Sequence, residues 1–75
     1  MELYFRNSDR KLEFVGDVES MEESWKIINA DLKKRHPGFV SYYQRFWINP
    51  DGDMWIDYGS HNEFYILKRE KGEVA

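Results

Sequence analysis

The chain has 75 residues, no cysteine, a formal net charge of −3 and an aromatic content of 17%. That length allows one domain and no second core. The missing cysteines exclude disulfides and thiolate metal sites and favour a reducing, cytoplasmic setting; the mixed charge argues against a protein built to neutralise many phosphates, and so many rings exclude disorder.

The opening "MELYFRNSDRK" lacks a basic region followed by an apolar run, so it does not read as a signal peptide. Nowhere does an apolar run reach the roughly 18 residues of a membrane span. "ELYFRNSDRKLEFVGD" reads as a hairpin, with Leu3 and Phe5 on one phase of its first strand and Leu12 and Phe14 on one phase of its second. "NSDRK" supplies the turn, and Gly16 and Asp17 end the second strand.

A helix over about residues 21 to 35 follows. Ser20 is a good N-cap and Glu23 stands at the capping-box spacing. Met21, Trp25, Ile28 and Leu32 form one stripe at 3.6 residues per turn. Glu22 and Glu23 in the first turn and Lys33, Lys34 and Arg35 in the last suit the helix dipole. Pro37 and Gly38 stop it.

"FVSYYQRFWI" reads as a long strand, 39 to 48. "NPDGD" is a tight turn, with Gly52 able to take positive φ, and "MWIDY" returns. "GSHN" is a second turn, "EFYILKR" a last strand, and "EKGEVA" a frayed tail. The order β-β-α-β-β-β gives an α+β domain with a mainly antiparallel sheet and one helix on one face.

Aromatic residues occupy both phases of the last three strands. One phase holds Val40, Tyr42, Phe46, Ile48, Met54, Ile56, Tyr58, Phe64 and Ile66, which would join Leu3, Phe5, Leu12 and Phe14 beneath the helix. The other holds Phe39, Tyr43, Trp47, Trp55, Tyr65 and Leu67, with Ser41, Arg45, Asp57 and Glu63 among them. Five strands make a sheet about 20 Å wide, whereas one helix spans about 10 to 12 Å. The second set therefore has nothing to cover it. Exposed apolar surface on a small protein marks a contact, and Trp and Tyr lead at binding hot spots. Tyr43, Arg45, Trp47, Trp55 and Tyr65 are the expected partner-binding residues. The partner is a protein or a second copy of the chain, since a two-fold dimer would bury each aromatic face against the other. The alternative is a single-stranded nucleic acid stacked on the same rings. Against a contact surface stands the plain stabilising value of ring pairs in sheets.

Chemistry is sparse. Asp51, Asp53 and Asp57 do not follow the alternation of a calcium loop, and turn formation accounts for them. Ser60 and His61 are neighbours whose side chains diverge, and no third group is placed to orient a base. No catalytic residue, metal or cofactor is expected.

The segment "MWIDYGSHNEFYIL" resembles the close of short uncharacterised proteins encoded by phages and prophages of Gram-positive bacteria, through Trp55, Asp57, Tyr58, Gly59, Ser60, His61, Phe64 and Tyr65. The resemblance covers about a quarter of the chain. It brings no activity with it, and implies an accessory, host-directed or replication-associated role in a bacterial cytoplasm. The loop Asp57, Gly59, Ser60 and His61 is the second candidate site.

Overall fold

The structure, a computed structural model, describes residues 1–39, 44–60 and 62–68. Strands β1 (Glu2–Arg6) and β2 (Leu12–Asp17) form the expected hairpin. Asn7 organises its turn: its backbone N–H donates to the Lys11 carbonyl at 2.9 Å, and its side-chain oxygen accepts from the N–H groups of Asp9 and Lys11. Arg10 takes the left-handed corner with φ of 65°. The turn at Asn49 repeats this plan, with Asn49 donating to the Asp53 carbonyl and Gly52 at the same corner with φ of 92°.

The helix α1 (Met21–Arg35) begins and ends where the capping residues place it. The Glu23 N–H donates to Ser20 Oγ at 3.1 Å, and the His36 N–H returns to the Leu32 carbonyl. Ile28 and Leu32 are buried, as is Ser24, whose hydroxyl donates back to the Met21 carbonyl. Met21 and Trp25 are half-buried against the core.

Three further strands, β3 (Arg45–Ile48), β4 (Met54–Asp57) and β5 (Phe64–Lys68), complete a five-stranded antiparallel sheet in the order β2-β1-β5-β4-β3. The fold is the expected α+β arrangement. The long strand expected over 39 to 48 is shorter: β3 starts at Arg45, and Val40, Ser41, Tyr42 and Tyr43 lie outside the described residues. The tail from 69 onward lies outside them too.

The helix crosses β2, β1 and β5, held by polar tethers. Asp31 accepts from the Tyr65 hydroxyl on β5 and from Arg35 Nε. Arg35 also donates to Glu13 on β2 at 2.7 Å, and its guanidinium lies 3.9 Å from the Phe5 ring centroid on β1. Beneath the helix, Leu3, Phe5, Val18, Ile28, Leu32, Ile56, Tyr58, Tyr65 and Leu67 form the core.

Which side chains face the helix departs from the expected phase in two strands. Directly paired residues share a face. Phe5 pairs with Glu13 and Tyr4 with Phe14, so Phe14 and Leu12 point away from the helix and are exposed. The loop of residues 8–10 closes the hairpin so that even numbers oppose even numbers, and Leu12 cannot join Leu3. On β5, Leu67 pairs with Leu3 and Tyr65 with Phe5. Tyr65 and Leu67 are therefore core residues, and Phe64 and Ile66 lie on the far face. The turn between β4 and β5 opposes odd to even, as in Trp55 with Ile66, which reverses the phase carried over from β4.

Candidate functional site

Two regions collect the side chains singled out in the sequence. The larger is the sheet face opposite the helix. Every strand contributes one ring to it: Phe14 from β2, Tyr4 from β1, Phe64 from β5, Trp55 from β4 and Trp47 from β3. Trp47, Trp55 and Phe64 form one cluster, with centroids 5.5 to 6.2 Å apart and the two indoles stacked. Tyr4 and Phe14 meet edge to face at 5.6 Å. Ile66, flanked by Tyr4 and Trp55 on its neighbouring strands, is buried yet does not belong to the core beneath the helix.

Cations lie over these rings. The Arg6 guanidinium is 5.1 Å from the Trp55 centroid and 5.9 Å from that of Phe64, and Lys68 Nζ is 5.7 Å from that of Tyr4. Acids accompany them. Arg45 donates to Asp57 at 3.3 Å, Lys68 approaches Asp53 at 3.7 Å, and the Tyr4 hydroxyl donates to Glu2. The face is thus apolar at its centre and charged in both signs around it.

Of the residues expected to bind a partner, Arg45, Trp47 and Trp55 stand on this face. Tyr65 does not: its ring is 0% exposed and its hydroxyl is bonded to Asp31 on the helix. Burial, then that hydrogen bond, raises its hydroxyl pKa far above the ordinary tyrosine value. Tyr43 lies outside the described residues. Tyr4, Arg6, Phe14 and Phe64 were not anticipated here. The length of the Asn7–Lys11 turn was the signal that could have found Phe14.

The second region is the loop after β4. Asp57, 7% exposed, accepts from the Gly59 N–H at 2.9 Å, and Gly59 takes φ of 112°, a conformation side chains rarely adopt. Ser60 Oγ accepts from the Glu63 N–H at 3.2 Å and donates to Asn62, so its hydroxyl holds the turn together. His61 lies outside the described residues. The loop packs against the helix end. Glu63 Oε1 accepts from the Tyr58 hydroxyl at 3.1 Å and lies 3.1 Å from His36 Nε2. Burial, then the Glu63 carboxylate, raises the Tyr58 hydroxyl well above its ordinary value. With Phe39, edge-on to Tyr58 at 5.7 Å, these groups line an open pocket of about 340 Å³. Glu63, read in the sequence as a neighbour of the far-face rings, belongs to this pocket.

Among the described residues, no three His, Cys, Asp or Glu side chains gather as a metal ion would require, and no helix is long and apolar enough to cross a membrane. No protein-family model, curated protein or solved structure matches the chain.

Proposed function

We propose that the protein is a non-enzymatic, phage-derived binding module whose far sheet face holds a protein partner. The observation that carries this reading is the row of rings, one from each strand, with none of the described elements above it. Phe14 and Trp47 at its two ends are 56% and 41% exposed. Rigid aromatic side chains ringed by polar groups are the composition of an interface centre. The charges favour protein over nucleic acid. Arg6, Arg45 and Lys68 are matched on this face by Glu2, Asp53 and Asp57. A surface for phosphates needs an excess of cations, whereas mixed signs suit a protein surface of mixed charge. The phage origin rests on the segment from Trp55 to Tyr65 alone.

A photo-crosslinking amino acid at position 14 or 64, used in the host cell, tests the reading. Both positions should capture one and the same protein, and position 29 on the helix's outer side should not. The purified pair should lose binding when Phe14→Ala and Trp55→Ala are combined, and should bind about equally at low and high salt. Equal capture from position 29 overturns the reading. Recovery of nucleic acid, with binding that falls steeply with salt, overturns it in favour of base stacking.

A further inference from the structure

The two edges of the sheet are built differently. At the β2 edge, Glu13 and Asp17 are exposed, and the register shifts between Leu3 and Tyr4. Charges and bulges of this kind prevent a further strand from adding. At the other edge β3 reads Arg-Phe-Trp-Ile, and every residue of it is exposed. Phe46 and Ile48 point to the helix side of the sheet but lie beyond the helix, 58% and 51% exposed, while Trp47 points to the far side. The edge is apolar on both sides and carries no charge between Phe46 and Ile48.

The backbone groups of Phe46 and Ile48 point away from β4. Asn49 donates to Asp53 across the turn, so Asn49 faces β4. Antiparallel pairs alternate between bonded and non-bonded positions, so Trp47 and Arg45 also face β4, and Phe46 and Ile48 direct their N–H and C=O groups outward. Among the described residues these outward groups meet no partner.

We infer that a second copy of this chain pairs with β3 along this edge, antiparallel, about a two-fold axis at Trp47. The strand is complementary to itself in that register. Phe46 lies opposite Ile48 of the other copy, and the two residues exchange backbone hydrogen bonds through the groups that point outward. Trp47 lies opposite its own copy at a non-bonded pair, the position where side chains approach most closely. Arg45 lies opposite Asn49, so no like charges meet, and within its own chain Arg45 already pairs with Asp57. Apolar side chains are thereby covered on both sides of the sheet at once. Pairing one position further toward the turn would set Pro50, which has no N–H, against Phe46 and lose a donor. The result is one continuous sheet through both copies, with the two rows of rings joined at the paired Trp47 side chains. This surface is distinct from the far-face partner site and shares Arg45 and Trp47 with it.

Light scattering coupled to size-exclusion chromatography over a concentration series tests the pairing in the full chain. The wild type should move from the mass of one chain, 9.1 kDa, to twice that mass as concentration rises. Ile48→Pro removes an outward N–H and leaves the bonds to β4 in place, so it should abolish the dimer while keeping the wild-type circular dichroism. Trp47→Lys and Trp47→Glu should each be monomeric, and an equal mixture of the two should recover the dimer mass, because the inferred register sets these positions face to face. A wild type that stays at one mass throughout overturns the proposal. A dimer that survives Ile48→Pro but is lost in Phe14→Ala with Trp55→Ala overturns it also, by assigning association to the far face. Should Ile48→Pro fail to fold, the mixture decides: no recovery of mass rejects the register.

Discussion

The two faces of the sheet have nearly the same taste for aromatic residues and opposite ways of holding them. Beneath the helix, Phe5 and Tyr65 meet at 5.2 Å and are sealed from water, with the Tyr65 hydroxyl tied to Asp31 and Arg35 spanning Asp31, Glu13 and the Phe5 ring. On the far face the rings lean on one another and on cations, and solvent reaches Phe14 and Trp47. A ring under the helix contributes through burial and would leave a cavity if removed. Phe14 and Trp47 on the far face have kept much of their water, so removing Phe14 costs the fold little. Stability is concentrated on one side of the sheet, where only β3 has its helix-side residues exposed, and the other side is left available for contact.

The largest effect should come from the covered face. Tyr65→Ala should lower the unfolding free energy by about 3 to 5 kcal/mol, the range for emptying a large aromatic site, and urea denaturation followed by circular dichroism would measure it. In a domain this small that amounts to most of the stability, so Tyr65→Phe is the companion change. It keeps the ring and removes the hydrogen bond to the Asp31 carboxylate, and should cost about 1.5 to 3 kcal/mol at neutral pH.

The same tether sets an alkaline limit. Tyr65 and Tyr58 titrate at higher pH in the folded protein than in the unfolded chain. A group raised in this way stabilises fully below its unfolded value, about pH 10 for tyrosine, and that contribution disappears as pH climbs through the folded value. Wild-type stability should therefore fall above pH 10, and Tyr65→Phe should fall less steeply, as urea midpoints across an alkaline series would show. Parallel slopes would remove Tyr65 from the account.

On the far face, Phe14→Ala should cost only about 0.5 to 1 kcal/mol, the value of a cross-strand ring pair with Tyr4, while weakening partner capture. A cost similar to that of Tyr65→Ala would erase the contrast between the faces. The smallest change touches neither. Arg10→Gly relieves a left-handed corner that Gly52 occupies in the twin turn, and should raise stability by no more than about 1 kcal/mol, read as a small upward shift in the thermal midpoint.

Much of this fold was legible in the sequence because its signals are local. Ser20, Glu23, Pro37 and Gly38 bound the helix, and the Asn-Pro-Asp-Gly turn marked a hairpin; the α+β order followed. The phase within each strand was legible too. The phase between strands was not, because it depends on how each turn closes. A turn that opposes 6 to 12 keeps parity, and one that opposes 54 to 67 reverses it. That single unknown placed Tyr65 outside and Phe14 inside, when each lies on the opposite side. Trp47 and Trp55 escaped the error because the Asn49 turn sets them directly across from each other. The pocket at the helix end was hidden for a related reason: His36 and Glu63 are distant in sequence and meet only after the sheet is assembled.

The order of strands also constrains how the sheet comes together. Leu3 pairs with Leu67 at the middle of the sheet, so β1 waits for β5 before its inner edge is satisfied. Without β5, the β1–β2 and β3–β4 pairs would each expose a backbone rim. Locking Phe64–Lys68 between β1 and β4 covers both rims at once, so the two halves of the sheet depend on a single five-residue segment for their union.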